Sequence, residues 1–115
     1  MANLVEVSNT KELGDGTMKE VLAYGHEILL ARVGDSYYAV DNRCPHMGGK
    51  LSQGKLEGTT VTCPLHGSQF DLTSGQVVRW LRGGLASKIG GLIKPSKPLN
   101  VYKVKIEDSR ILIEL

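Results

Sequence analysis

Two cysteines, six aromatic residues and one short aliphatic run set the limits of this 115-residue chain. Two cysteines cannot build a disulfide framework or a four-cysteine metal site. They pair once, stay reduced, or share a metal with other ligand types. Six aromatics leave a core that must be mainly aliphatic. The longest aliphatic run, Ile28-Leu29-Leu30-Ala31, is far short of the ~20 apolar residues of a membrane helix. The start, Met1 to Glu6, has neither a basic head nor an apolar stretch, so no export signal is visible. The expected compartment is the cytoplasm, where a lone structural disulfide would be unusual. A net charge of +2 is too weak to argue for nucleic acid. The length predicts one domain over 1–115, large enough to form a core without disulfides.

What is present reads first as short strands. Leu4 to Val7, Thr17 to Tyr24, Glu27 to Val33 and Ser36 to Val40 are separated by turn residues, Gly25-His26 and Gly34-Asp35 among them. Such spacing suggests a β-sandwich or barrel. Thr10 to Leu13 could form one helical turn. At the other end, Leu99 to Ile106 and Arg110 to Leu115 form a hairpin around Glu107-Asp108-Ser109. Between these arms lie ten of the fourteen glycines and all four prolines, a composition that favours loops and tight turns. Both cysteines and two of the three histidines fall there too. The reading is an all-β scaffold carrying a loop-built site.

Two segments carry the chemistry: Cys44-Pro45-His46 and Cys63-Pro64-Leu65-His66, with sixteen residues between His46 and Cys63. Each supplies one thiol and one imidazole. In each, proline follows the cysteine and stiffens the loop. The glycines that follow, Gly48-Gly49 and Gly67, let backbone approach a bound centre closely. A metal held by two sulfurs and two nitrogens is the consequence. Zinc accepts that set, although its usual ligand pairs are Cys with Cys and His with His. In a binuclear iron–sulfur centre of the Rieske type, one iron takes both thiolates and the other both imidazoles. Two parallel loops, each giving Cys then His, match that division better. A zinc-stabilised interaction module without redox role stays open as the rival from another class.

The ligand spacing, with Tyr38-Ala39-Val40 before it, Leu51 to Gly54 after the first loop and His66 to Asp71 after the second, resembles the Rieske-type [2Fe–2S] ferredoxins. The likeness is strong over about residues 30–79 and looser at both ends. It implies an antiparallel β-sandwich base with an inserted loop-built cluster-binding subdomain at about 43–80. It also implies one [2Fe–2S] cluster, with Cys44 and Cys63 on the buried iron and His46 and His66 on the outer one. Neutral imidazoles in place of two thiolates raise the potential to roughly −150 to +300 mV. High-potential relatives carry an extra, disulfide-bonded cysteine in each loop; here Met47 and Leu65 stand near those places. The implied carrier is a low-potential one. Gly67 and Ser68 fall where such proteins contact the cluster, and a serine there bonds a cluster sulfur in the high-potential group. Phe70 replaces the tyrosine that helps it.

The implied function is one-electron transfer from a flavin-dependent reductase to a terminal oxygenase, without substrate chemistry of its own. A small subunit of an assimilatory nitrite reductase is the alternative. A Rieske oxygenase needs two further histidines and a carboxylate for its mononuclear iron. Only His26, expected on the surface in a hairpin turn, is left for that, so the count excludes it. The least family-like stretch is the Gly-rich insertion at about 80–97. From Arg79 to Lys105 there are seven cations and no acid, whereas residues 1–60 carry six cations and eight acids. Its expected uses are a longer loop shielding the cluster, a docking surface for an acidic partner through Arg79, Arg82, Lys88, Lys94 and Lys97, or a weak interfacial membrane contact.

Overall fold

The structure is a computed structural model, and it describes residues 4–44, 49–65, 67–79 and 98–115. Four antiparallel strands open the chain: β1 (Leu4–Asn9), β2 (Thr17–Ala23), β3 (His26–Val33) and β4 (Ser36–Asp41). A 3-10 turn at Leu51–Gln53 follows. Then come β5 (Lys55–Glu57), β6 (Thr60–Thr62), β7 (Gln69–Asp71), β8 (Val77–Arg79), β9 (Val101–Tyr102), β10 (Val104–Glu107) and β11 (Arg110–Glu114). They form three sheets, ordered β1-β11-β10, β2-β3-β4-β9 and β5-β6-β7-β8. The all-β expectation holds.

The middle sheet explains the one long aliphatic run. Alternate β3 residues Ile28 and Leu30 face the terminal sheet, packed with Leu13, Val21, Ala39, Ile111 and Ile113. Leu29 and Ala31 face the other way, into a second core with Val40, Leu51, Val61, Phe70, Leu72 and both cysteines. A strand buried on both faces has no polar alternation to show. The base is therefore a two-sheet sandwich, and the third sheet rests on its far side.

Several local expectations need correction. Tyr24 and Gly25, not Gly25-His26, make the β2–β3 turn, and both have positive φ, +48° and +81°. That is the two-residue geometry whose twist suits a hairpin. His26 opens β3 instead, paired with Ala23, and its exposed ring stands edge-on to Tyr102 at 6.1 Å. Residues 10–13 form turns and bends rather than a helical turn, with Asn9 Oδ1 accepting the N–H groups of Lys11 and Glu12. The stretch from Leu99 to Ile106 is two strands, not one. Lys103 lies between them, its carbonyl accepting the Glu114 N–H, so that β9 pairs with β4 while β10 pairs with β11. Tyr102 is fastened at this crossing: its hydroxyl donates to Asp41 Oδ1 at 2.7 Å. Burial and that carboxylate push its pKa up to about 12.

The glycine- and proline-rich middle is also more regular than its composition suggests. Four strands of three residues each build a sheet, in register Leu56↔Val61 and Val61↔Phe70. Three residues are too few to show a period in the sequence. The ladder exists because its neighbours supply the pairing.

Candidate metal centre

Cys44 follows β4 and the buried Asn42; Cys63 follows β6. Both are buried thiols outside any disulfide, 1% and 2% exposed. The two loops they open are closed alike. The Cys44 N–H donates to the Gly49 carbonyl and the Cys63 N–H to the Ser68 carbonyl, each at 2.8 Å and each five residues on. Just outside, Arg43 bridges Lys50, and Thr62 pairs with Gln69. Each cysteine loop is thus the end of a short antiparallel ladder, with its cysteine at the same point. Gly67 has φ +75°, which suits glycine, and its N–H donates back to the Cys63 carbonyl at 3.1 Å. Ser68 is fully buried, as is Phe70 in β7.

Two glycines bring the loops together. A Cβ on Gly49 would stand 2.9 Å from Leu65 Cδ1 and 3.3 Å from Cys63 Sγ, so backbone of the first loop lies against the second loop's sulfur. A Cβ on Gly54 would stand 1.9 Å from the Thr62 carbonyl oxygen and 3.1 Å from Pro64 Cδ. Two buried thiols, matched in their loops, with bare backbone lying against the Cys63 sulfur, fit a centre that takes two sulfur ligands from one side. His46 and His66 lie outside the described residues, as do Met47 and the whole 80–97 stretch with Arg82, Lys88, Lys94 and Lys97. Arg79 ends β8.

The sequence reading missed the polar residues that brace the first loop. Asn42, Glu20, Ser52 and Lys50 form a linked set, and hydrogen bonds from Asn42 and Lys50 hold the Glu20 carboxyl below the usual carboxylate range. In the sequence Asn42 looks like an ordinary turn residue, because its partners are 10 and 22 residues away. Beside it, Arg43 makes a two-point ion pair with Glu27, at 2.6 and 3.2 Å. A cavity of about 390 Å³ lies next to this pair, lined by His26, Glu27, Asp41 and Arg43, with neither cysteine in its wall.

Comparison with known proteins agrees with this geometry. The chain is 31% identical over 114 residues to the ferredoxin component of naphthalene 1,2-dioxygenase/salicylate 5-hydroxylase systems from Ralstonia sp, covering 98% of this chain and 96% of that one. A solved complex of reduced oxygenase and oxidized ferredoxin in carbazole 1,9a-dioxygenase holds a chain that superposes with TM-score 0.79 at 25% identity, covering 96% and 91%. A nitrite reductase NADPH (small subunit) structure matches with TM-score 0.72 at 22% identity over 96% and 97%, a likeness of fold alone. The family model of the Rieske [2Fe-2S] domain matches residues 3–84, which carry both Cys/His segments and the whole β5-β6-β7-β8 sheet. With relatives of that kind along nearly its whole length, the chain belongs to the Rieske [2Fe–2S] family, on the ferredoxin side of it.

Proposed function

We propose that this chain, one domain over 1–115, is the ferredoxin of a multicomponent oxygenase system in the cytoplasm. It would take single electrons from a flavin-dependent reductase and pass them to a terminal oxygenase. The observation that carries this is the pair of buried thiols in loops closed by the same backbone bond, set in a chain whose relatives at nearly a third identity are dioxygenase ferredoxins. Cys44 and Cys63 would hold one iron, and His46 and His66 the other. Bound there, the cluster supplies one reversible electron. The protein's share is to exclude water from the sulfur side and leave the other end within reach of a partner. Pro64 and Leu65, between Cys63 and His66 in the second loop, are both exposed. The zinc module and the nitrite reductase subunit lack comparable support, since the matching family binds a cluster and the nitrite reductase likeness goes no further than fold.

The test is colour, iron content and salt. The purified chain should be red-brown, hold two irons and two sulfides, and bleach with dithionite; a colourless chain with stoichiometric zinc overturns the reading. Arg79, Arg82, Lys88, Lys94 and Lys97 are assigned to meeting an acidic partner, so electron transfer to the oxygenase should slow as salt rises and the ~10 Å screening length at 0.1 M shortens. A rate indifferent to ionic strength removes that assignment. Among the described residues no helix is long and apolar enough to cross a membrane.

Ser68 is the residue assigned to tuning the potential. Buried at the closing bond of the second loop, its hydroxyl would donate to a cluster sulfur and favour the reduced, more negative state. Ser68→Ala should therefore lower the midpoint potential, read by redox titration. An unchanged potential would show that the hydroxyl serves the loop and not the cluster.

A further inference from the structure

Asn42 is completely buried two residues before Cys44, and its side-chain amide is used at both ends. Nδ2 donates to Glu20 Oε2 at 2.8 Å and to Ser52 Oγ at 2.9 Å, while Oδ1 accepts the Ser52 N–H at 2.7 Å. Its backbone N–H donates to the Glu27 carbonyl, and its carbonyl accepts the Leu51 N–H, each at 3.0 Å. The other Glu20 oxygen takes Lys50 Nζ at 3.1 Å. Residues 42 and 50–52 are the two ends of the first ligand loop. One side chain therefore ties those ends to each other and fastens both to β2. The second loop is braced differently, by Gln69 Nε2 donating to Thr62 Oγ1 at 3.2 Å and by the bare backbone of Gly54.

We propose that Asn42 is the positioning residue of the first ligand loop, its buried amide fixing the Cys44–His46 pair relative to the Cys63–His66 pair and so setting the electronic environment of the cluster. This rests on the cluster reading above. The chemistry of the node is specific. It needs two donors and one acceptor on a short side chain, which asparagine has and aspartate lacks. Alanine would leave the Ser52 N–H and one Glu20 oxygen without their partner. Aspartate would set a second carboxylate against that of Glu20. Because the first loop gives one ligand to each iron, a shift of its neck moves one ligand on each while the second loop stays in place.

The test compares Asn42→Ala, Asn42→Asp and the double variant Glu20→Gln/Asn42→Asp, in which the amide and the carboxylate exchange places. Peptide-resolved amide hydrogen exchange on the full-length, cluster-loaded chain should speed up about tenfold over residues 42–52 in the single variants, with residues 61–70 unchanged. The electron paramagnetic resonance lines of the reduced protein should move, and the reduction equilibrium constant should change by about threefold or more. The double variant should return all three readouts towards wild type. If the single variants fail to fold, Ser52→Ala removes one bond of the node and should give the same pattern at smaller amplitude. Equal acceleration in both loops would show a general loss of stability and overturn the proposal. So would faster exchange at 42–52 with resonance lines and potential unmoved, or a double variant no better than Asn42→Asp. A wild-type chain that purifies without iron and sulfide fails the cluster reading instead. The exchange contrast between the two loops would still decide whether Asn42 positions the first.

Discussion

Gly54→Ala is expected to destabilise the fold by about 3 kcal/mol or more and to cost the protein its metal centre along with its stability. The added methyl would stand 1.9 Å from the Thr62 carbonyl oxygen and 3.1 Å from Pro64 Cδ. The first atom belongs to backbone, and to backbone held in a ladder: Thr62 pairs with Lys55 on one side and with Gln69 on the other. Relief must come from moving β5 away from β6 or from lifting the root of the second ligand loop. The first movement breaks the Lys55–Thr62 pairing, and the second displaces Cys63, the residue after Thr62. A methyl on Gly49 is a useful contrast. It would meet Leu65 Cδ1 at 2.9 Å, the end of a half-exposed side chain that can turn away, and only then the Cys63 sulfur at 3.3 Å, so it should cost less fold stability than Gly54→Ala while still pressing on the site. At this chain length about 3 kcal/mol corresponds to a melting temperature lower by roughly 10 °C. Thermal unfolding followed by circular dichroism, with visible absorption recorded on the same sample, reads both effects. A variant with wild-type melting and full absorption would mean that the approach of Gly54 to Thr62 is not needed for either.

That contrast bears on how far the site could be read from the residues alone. The four opening strands, the closing hairpin and the two Cys/His segments were legible because each signal is local: alternation, turn residues, or a cysteine and a histidine two and three residues apart. Gly49 beside the first loop was legible as a place for close approach. Gly54 was not, because its reason lies in a carbonyl eight residues away, on a strand too short to be recognised. Asn42 was hidden in the same way, since its partners Glu20 and Ser52 come from different elements. His26 was misplaced by one residue, as Tyr24 adopts the positive φ usually left to glycine. Lys103, where the chain changes sheets, looks like an ordinary outward residue of a strand. The local pattern shows that a strand exists. Which sheet it joins is settled by packing partners distant in sequence.

Cys63→Ala is expected to abolish the centre while leaving most of the β structure in place, and Cys44→Ala should do the same. The two sulfurs are part of an apolar cluster with Leu29, Val40, Leu51, Val61, Phe70 and Leu72, so each has a packing role as well as its proposed role as ligand. Alanine removes one atom from that core, a loss on the order of 1 kcal/mol in packing. Serine keeps the volume but puts a hydroxyl 2% exposed into an apolar site, and should be the less stable substitute although chemically nearer to cysteine. Neither substitution offers the metal a thiolate. Among the described residues no group of three His, Cys, Asp or Glu side chains stands ready to replace the lost donor. Iron and sulfide analysis, beside far-ultraviolet circular dichroism, separates the two roles. The expected result is iron absent from all four alanine and serine variants, with melting temperatures of the alanine variants above those of the serine ones. Iron retained in Cys63→Ala would overturn Cys63 as a ligand. Serine variants as stable as alanine ones would mean that the apolar core around the sulfurs is open to water. Metal binding and folding are coupled in such sites, so loss of the centre should itself lower stability beyond the packing loss. The gap between the alanine variants and wild type, less that ~1 kcal/mol of packing, then measures what the bound centre contributes to holding the two loops together.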